Sequence, residues 1–421
     1  MSKRFYTTGR KEDGGWALLD PNGKEFFSLG VNCVFLPDSL NSAQLQEAYG
    51  SDGQWFQRFA DRKLEQIQEY GFNTLAAWHE KYYWGNSFPK TIELRLSQHA
   101  NKVNVDWGVG FPDVFCDSFV YSIQRVLTEH FHGEGRMLED DPSLIGYYTD
   151  NELHWWGKGG QWGMDDMKQG ADPTNLLQDY FELPSTAPGK KRWVRFLEDR
   201  YGDIDSLNKA WNGEYWAFDD LLTVFSYTAD TEAFEQDKLD YLKLIAETYY
   251  STTTSLLRTY DKNHLILGCR LVGASTPEVV LEVMGRYLDV VSLNFYTREF
   301  PGKWLTRVSE LTGRPVMVTE FSICAGRQAG YLSSTNGAQH ATVKDQSRRG
   351  QLYDKFIKQA VALPSCVGAH WFALYDFRSV RHPLNGNYGL LTADDAPWEE
   401  FTEAVKATHR DVLSASPTQS S

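Results

Sequence analysis

The chain has 421 residues, which fits two or three ordinary domains or one large α/β barrel with insertions. Acidic residues outnumber basic ones by 56 to 42, and the net charge of -14 argues against a nucleic acid partner, since no long run of Lys or Arg occurs. Hydrophobic residues make up 42% of the chain, yet no apolar stretch is long enough to span a membrane. We therefore expect a soluble globular protein without a membrane partner.

The cysteines indicate the compartment. The five thiols lie far apart and never form a C-x-x-C pair, and an odd number cannot all pair within the chain. This usage favours a reducing environment. The first ten residues also lack the apolar run of a secretion signal. We therefore expect a cytoplasmic protein, with a processed secreted form left open.

Residues 1–25 are predicted to form a hairpin that caps the main domain. The sequence Asp20-Pro21-Asn22-Gly23 separates two apolar runs and has strong turn chemistry. A buried strand follows at once, because residues 26–33 are largely apolar without clean alternation. The next apolar positions recur at helical spacing up to Gly71, which predicts a helix after that strand.

The same order of strand and helix continues along the chain. The eight predicted strands are residues 26–33, 73–79, 91–97, 144–151, 264–271, 289–296, 315–321 and 367–374. The later predicted helices are residues 114–129, 234–260, 277–287, 304–312 and 352–363. Eight strands that alternate with helices predict a parallel sheet closed into a (β/α)8 TIM barrel.

An open doubly wound sheet is the alternative architecture. Such a sheet normally carries a glycine-rich nucleotide loop, and the nearest candidate, Gly108-Val109-Gly110, has Asp113 at the third glycine position. The barrel is therefore the preferred prediction, and no nucleotide cofactor is expected.

The predicted catalytic barrel covers residues 26–410 and contains a long aromatic-rich insertion, residues 153–263, after strand four. Insertions at that end of a strand build the mouth of a barrel. Aromatic residues make up 14% of the whole chain, so many rings are expected to line a binding surface. Residues 411–421 end in a run of Ser, Thr, Pro and Gln and are predicted to be a disordered tail.

Two carboxylates stand out among the residues at the carboxyl ends of the predicted strands. Glu152 ends strand four and Glu320 ends strand seven, and each follows an otherwise apolar run. Strands four and seven face each other across an eight-stranded barrel. Other polar or aromatic residues at strand ends are Asn32, His79, Arg270, Asn294, Tyr296 and Trp371.

Opposed carboxylates provide the groups that cleave a glycosidic bond, namely an acid for the leaving oxygen and a carboxylate on the other face of the sugar. A separation of about 5–5.5 Å gives retention of configuration, and about 6.5–9.5 Å gives inversion. The alternative is that either Glu merely pairs with an Arg at the barrel rim. Two such residues on strands four and seven favour the catalytic interpretation.

Two motifs resemble those of clan A retaining glycoside hydrolases. They are Thr-Asp-Asn-Glu at 149–152 and Val-Thr-Glu-Phe at 318–321. Within the clan, the segment from Gly15-Trp16 to Val31-Asn32 resembles the entry to the catalytic domain of family 50 β-agarases. The segment from Arg200-Tyr201-Gly202-Asp203 to Trp211-Asn212 resembles agarase-like and family 42 β-galactosidase-like barrels.

The resemblance implies a role for each matching residue. Glu152 corresponds to the acid/base and Glu320 to the nucleophile. Asn151 would contact the sugar 2-hydroxyl, Tyr296 matches the position beside the nucleophile, and Trp371 matches the Trp that floors the first sugar subsite.

The sequence departs from the clan pattern at one cation. The Arg usual at the end of strand two is replaced by His79, and we expect Arg270 on strand five to supply the charge. Trp155 and Trp156 follow the predicted acid, and as neighbours they cannot both face one subsite, so Trp155 is taken as the stacking residue.

The sequence therefore predicts a retaining exo-β-glycosidase that hydrolyses β-galactosidic bonds in agar-type or related oligosaccharides. A β-glucosidase, a β-mannosidase, a transglycosidase and a catalytically inactive sugar-binding barrel are the alternatives. No H-E-x-x-H or cysteine cluster occurs, so no metal and no cofactor are expected. The oligomeric state stays open.

Overall fold

The computed structural model describes residues 4–37, 40–105, 109–158, 172–325, 341–377 and 386–414. The strands are β1 (Thr7–Arg10), β2 (Trp16–Leu19), β3 (Glu25–Phe26), β4 (Ser28–Val31), β5 (Thr74–Leu75), β6 (Lys90–Glu93), β7 (Lys102–Asn104), β8 (Phe111–Pro112), β9 (Leu144–Tyr148), β10 (Leu265–Gly268), β11 (Leu271–Val272), β12 (Val291–Asn294), β13 (Val316–Phe321), β14 (Ile323–Ala325), β15 (Ala341–Val343), β16 (Cys366–Trp371), β17 (Ala373–Tyr375) and β18 (Gly389–Leu391).

The α-helices alternate with the strands of the main sheet. They are α1 (Ser42–Tyr49), α2 (Trp55–Glu69), α3 (Asp117–Phe131), α4 (Leu176–Phe181), α5 (Pro188–Tyr201), α6 (Ile204–Trp211), α7 (Glu232–Tyr260), α8 (Glu278–Met284), α9 (Gly302–Thr312), α10 (Gln346–Ala362) and α11 (Glu399–Ser414). None of the described helices combines the length and apolarity needed to cross a membrane.

The main sheet is parallel and has the order β10-β9-β6-β5-β4-β16-β13-β12-β11. The predicted fifth strand is divided in two: β10 pairs with β9, and β11 pairs with β12. The chain bends between them, where Gly268 and Arg270 have φ values of 84° and 49°. Because both ends of the sheet belong to one interrupted strand, the sheet forms a barrel. The (β/α)8 prediction is confirmed, and the open sheet is excluded.

The amino-terminal strands close the bottom of this barrel. β2 and β3 pair antiparallel with Leu18 opposite Phe26, as the turn at 20–23 predicted. Leu18 packs in one buried cluster with Ile145, Leu265 and Val367, which lie at or near the beginnings of barrel strands. The apolar face of the hairpin therefore covers the end of the barrel opposite the carboxyl ends of the strands.

Inside the barrel, Gly30 and His370 face each other closely. A Cβ atom at Gly30 would lie 2.5 Å from Cδ2 of the His370 ring. His370 shares a hydrogen bond of 2.8 Å with the Ser28 hydroxyl, and burial lowers the pKa of this imidazole to about 3. Glycine is needed at position 30 because the ring occupies the space that any side chain would take.

The predicted insertion is shorter than the sequence indicated. Helix α7 packs against α3 and α8, which is the position of the barrel helix that follows strand four. The insertion is therefore residues 153–231. Its Trp193 and Trp211 are buried against each other with ring centroids 6.0 Å apart, so these rings stabilise the insertion itself rather than line a binding surface.

The predicted carboxyl-terminal tail begins later than expected. Helix α11 runs to Ser414, and Val412 is buried, so residues 411–414 are helical rather than disordered. Residues 415–421 lie outside the described part of the chain.

Candidate active site

Glu320 lies near the end of β13, beyond a β-bulge. Leu293 of β12 pairs with Val318 and the next residue, Asn294, pairs with Glu320, so Thr319 is one extra residue in β13. A bulge changes the direction of the side chains that follow it. Phe321 packs outside the barrel, with its ring 4.1 Å from that of Phe356, and the Glu320 side chain faces the interior.

Two donors hold the Glu320 carboxylate. Its Oε1 lies 2.8 Å from Nη2 of Arg270, and its Oε2 accepts a hydrogen bond from the Tyr296 hydroxyl. Burial raises the pKa of Glu320 to about 8, although Arg270 and the Tyr296 hydroxyl oppose this shift and the charge of Glu152 adds to it. Without these donors, the pKa of this carboxyl would be higher still.

Arg270 is the buried cation at the centre of the site. Its guanidinium donates to the Asn32 side chain at 3.0 Å, to the Thr319 carbonyl at 2.9 Å and to the Asn151 side chain at 3.1 Å. Trp78 lies over the same group, 4.3 Å from the ring centroid. These contacts fix the guanidinium in the orientation that reaches Glu320.

Glu152 follows β9 in a left-handed conformation, with φ of 53°. Its Oε1 accepts a hydrogen bond of 2.8 Å from the amide of Asn294, whose own oxygen accepts from the Thr319 hydroxyl at 2.8 Å. Burial raises the pKa of Glu152, and the Asn294 amide and Arg270 lower it in part. Asn294 therefore links the residue before Glu320 to the second carboxylate.

The predicted polar residues have different places in this arrangement. The side-chain oxygen of Asn151 accepts a hydrogen bond from Arg270, so its amide hydrogens can donate to another partner. Asn32 is buried, and its amide donates to two carbonyls while its oxygen accepts from Ala77 and Arg270. Because all four of these bonds are made within the protein, Asn32 orients Arg270, and the expectation that it binds sugar is wrong.

Three other predicted contacts lie away from the carboxylates. Trp155 is fully buried and stacks on Tyr250 with a ring distance of 5.7 Å. Trp371 packs outside the barrel against Phe401, 5.1 Å away. His79 donates from Nδ1 to the Ala76 carbonyl. Its ring is 6.3 Å from that of Tyr83, which lies in the core under the helices. Trp155 and Trp371 therefore pack in the protein rather than in the space between the carboxylates, whereas Nε2 of His79 has no hydrogen-bond partner among the described residues.

A cluster of aromatic side chains lies at the mouth. Trp156 and Phe372, each one residue after a predicted position, pack in one buried cluster with Tyr296, and Trp78 packs against it. The ring of Phe372 meets that of Tyr296 edge-on at 5.6 Å. A shift of one residue moves a side chain to the other face of a strand, which is why Phe372 lies in this cluster and Trp371 does not.

Glu93 is a site residue that the sequence analysis missed. It ends β6, its side chain is 3% exposed, and its charge acts on both Glu152 and Glu320. Strand three was expected at 91–97, which placed Glu93 inside the strand. The shorter observed strand brings it to the mouth. In the described part of the chain, no group of three His, Cys, Asp or Glu is placed to hold a metal.

An eight-stranded barrel with two carboxylates at its mouth, one buried and one half-buried, is the arrangement of a glycoside hydrolase. The family model for glycoside hydrolase family 42, described as β-galactosidase, matches residues 118–413. The chain belongs to this family.

Two relatives match nearly the whole chain. β-Agarase B of Vibrio sp. (strain JT0107) is 22% identical, over 97% of this chain and 48% of its own length. β-Agarase A of the same organism is 25% identical, over 94% of this chain and 44% of its own length. The chain thus spans just under half the length of these curated relatives.

Solved structures share the fold. The crystal structure of an agarase has a TM-score of 0.82 at 21% identity, covering 98% of this chain and 66% of that one. The structure of an exo-β-agarase has a TM-score of 0.86 at 20% identity, covering 98% and 65%. The similarity shows that the barrel extends over almost the entire chain.

Proposed function

We propose that the protein is a retaining exo-β-glycosidase that hydrolyses β-galactosidic bonds in agar-type oligosaccharides. Glu320 acts as the nucleophile and Glu152 as the acid and base. The observation that carries this assignment is the unequal environment of the two carboxylates. Glu320 is held by a guanidinium and a phenol, both of which favour its charged form, whereas the hydrogen bond to Glu152 comes from the neutral Asn294 amide.

This inequality supports a proposed position for the proton. Two carboxylates that oppose each other's ionisation in one buried cavity share a single proton over the neutral range. Burial raises the pKa of both carboxyls, that of Glu320 to about 8. In the proposed mechanism the charge lies on Glu320 once substrate is bound, because the guanidinium and the phenol contact that carboxylate, and the proton lies on Glu152. This is the protonation state that a double displacement requires.

The reaction follows from that state. A carboxylate oxygen of Glu320 forms a bond to the anomeric carbon while the bond from that carbon to the glycosidic oxygen breaks, and Glu152 transfers its proton to the departing oxygen. Water then attacks the anomeric carbon, Glu152 accepts the water proton, and Glu320 leaves as a carboxylate. Two inversions give net retention. Asn151, with its oxygen held by Arg270, is oriented to donate its amide to the sugar 2-hydroxyl.

The substrate class rests on the relatives. β-Agarases match over nearly the whole chain, the family model is that of β-galactosidases, and one similar structure is described as an exo-β-agarase. The aromatic cluster at the mouth suits the apolar faces of a galactose ring. These similarities support the oligosaccharide partner and the exo mode of action.

The test is product analysis by mass and NMR after incubation with β-aryl glycosides and agaro-oligosaccharides. Release of a terminal sugar from a β-galactosidic substrate with retained configuration, and its loss in Glu320→Ala, is the expected result. The matched control is Glu310→Ala, which removes an exposed Glu from helix α9. Cleavage of a β-glucoside or β-mannoside alone would overturn the sugar class, and an active Glu320→Ala would overturn the mechanism.

A further inference from the structure

The third carboxylate at the mouth, Glu93, has no role in the double displacement described above. It lies at the carboxyl end of β6, and β6 pairs in register with β9 so that Glu93 stands beside Tyr148. Tyr148 is an interior residue whose ring lies 5.1 Å from the Arg270 guanidinium. Paired residues on neighbouring parallel strands point to the same face, so Glu93 also points into the barrel.

The electrostatic contacts of Glu93 agree with this direction. Its charge acts on Cys33 after β4, Arg270 between β10 and β11, Glu152 after β9 and Glu320 on β13. Only a carboxylate near the barrel axis is close to groups on four other strands. Its negative charge opposes the ionisation of both Glu152 and Glu320, and it raises the pKa of each.

One oxygen of Glu93 is engaged and the other is open. Oε1 accepts a hydrogen bond of 3.1 Å from Nε of Arg95, which is itself 58% exposed. Within the described residues, Oε2 has no hydrogen-bond partner, although the side chain is only 3% exposed. A nearly buried carboxylate oxygen without a donor is costly unless a bound group supplies one.

The cation that faces this space is already engaged. Arg270 pairs with Glu320 and donates to Asn32, Asn151 and the Thr319 carbonyl. Although its Nε has no partner among the described residues, its charge is paired with that of Glu320 and is not available to neutralise a sulfate or carboxylate on a substrate. An anionic sugar between Glu152 and Glu320 would therefore face the charge of Glu93 in a site of low dielectric, where repulsion is strong.

We propose that Glu93 is a specificity-determining residue: its Oε2 accepts a hydrogen bond from a ring hydroxyl of the sugar held between Glu152 and Glu320, and its charge restricts the site to neutral saccharides. This inference rests on the proposed function for the position of the sugar. It assigns the substrate class as oligosaccharides whose terminal unit carries neither sulfate nor carboxylate.

The test compares kcat/KM for p-nitrophenyl β-galactoside with that for the same galactoside sulfated on its primary hydroxyl and for p-nitrophenyl β-galacturonide. Glu93→Gln keeps the shape of the side chain and removes its charge. Its kcat/KM for the neutral galactoside is expected to fall about tenfold, as for the loss of one hydrogen bond to a charged group, while the discrimination against both anions shrinks at least tenfold.

Two further variants separate the parts of the proposal. Glu93→Asp keeps the charge but shortens the reach, so it should lose activity on the neutral galactoside and keep the discrimination. Glu12→Gln removes an equal charge from the exposed turn at the other end of the barrel and should change neither quantity. Unfolding midpoints of all variants show whether each is folded. If a folded Glu93→Gln has the same ratio of kcat/KM between the neutral and the anionic substrates as the wild type, the inference is overturned while the proposed function stands.

Calorimetric measurement of binding distinguishes a failure of the inference about Glu93 from a failure of the proposed function. If the wild-type protein hydrolyses none of the three substrates, the proposed function fails, and binding of a neutral agaro-oligosaccharide is measured instead. A dissociation constant that rises about tenfold in Glu93→Gln supports the role of Glu93 in binding. Equal binding by the variant and the wild type, or no binding by the wild type, overturns it.

Discussion

Nη2 of Arg270 lies 2.8 Å from Oε1 of Glu320, although β12 separates their strands in the sheet. Arg270 reaches this position because the fifth barrel strand is interrupted at that point, with φ of 49° at Arg270 itself. The cation that the clan pattern places on strand two therefore reaches Glu320 from strand five. The break that divides β10 from β11 thus has a chemical consequence as well as a topological one.

Arg270→Lys tests whether the site needs the several hydrogen bonds of a planar guanidinium or only its positive charge. Lysine keeps the charge but cannot bond Asn32, Asn151, the Thr319 carbonyl and Glu320 at once. We expect kcat/KM to fall by about 10²–10³, the usual effect of removing one preorganised stabilising group. The measurement is steady-state kinetics, with Arg307→Lys as the control because Arg307 forms an exposed pair with Glu278. Full activity in Arg270→Lys would show that charge alone is sufficient.

Tyr296→Phe tests the hydroxyl that donates to Glu320. This hydrogen bond lowers the pKa of the carboxyl, so its removal raises that pKa. A higher pKa reduces the ionised fraction of Glu320 at any given pH, and the acidic limb of the kcat/KM profile moves to higher pH. The expected shift is about one to two pH units, because a hydrogen bond to a charged group contributes about 1.5–3 kcal/mol and one pKa unit corresponds to about 1.4 kcal/mol.

Tyr388→Phe provides the control for that shift, because Tyr388 belongs to the same aromatic cluster while the hydroxyl that donates to Glu320 is that of Tyr296. An acidic limb that stays in place in Tyr296→Phe, or moves to lower pH, contradicts the assignment of Tyr296 as the residue that stabilises the charged nucleophile.

Azide rescue separates the roles of the two carboxylates. In Glu152→Ala, an activated aryl glycoside still forms the covalent intermediate, and azide, which needs no base, should release it as a β-glycosyl azide. In Glu320→Ala, azide replaces the missing carboxylate and should give the α-glycosyl azide. NMR of the products identifies the anomer. The same anomer from both variants would show that the roles are not divided in this way.

The neighbouring tryptophans at 155 and 156 should respond differently to truncation. Trp155 is fully buried against Tyr250, so Trp155→Ala is expected to cost about 3–5 kcal/mol of unfolding free energy. Trp156 belongs to the mouth cluster, so Trp156→Ala should raise KM roughly tenfold or more, about 1.4 kcal/mol of binding. Denaturant unfolding and kinetics on both variants check this, and a reversed pattern would return Trp155 to the sugar subsite.

The contact between Gly30 and His370 predicts a specific coupling. Gly30→Ala places a methyl group 2.5 Å from the imidazole and should destabilise the protein by about 1–3 kcal/mol. His370→Ala vacates that space, so the alanine at position 30 should cost much less in the double variant. A thermodynamic cycle from denaturant unfolding measures this coupling. If the two substitutions change the free energy of unfolding additively, the strain in Gly30→Ala does not come from the His370 ring.

The barrel and the positions of the two carboxylates could be predicted from the sequence. Apolar runs that alternate with helical periods identify eight strands without any knowledge of tertiary contacts, because burial on both faces demands apolar residues along the whole strand. An acid at the carboxyl end of such a run must lie at the mouth once the barrel closes. Glu152 and Glu320 were therefore predictable from their places alone.

The side chains that surround these carboxylates could not be predicted without the fold. The bulge at Thr319 turns Glu320 inward, Phe372 rather than Trp371 faces the mouth, and β6 ends early enough to place Glu93 there. Side chains alternate between the two faces of a strand, so a bulge or a strand end displaced by one residue reverses their direction. Such irregularities depend on how neighbouring strands pair, and local hydrophobic pattern does not carry that information.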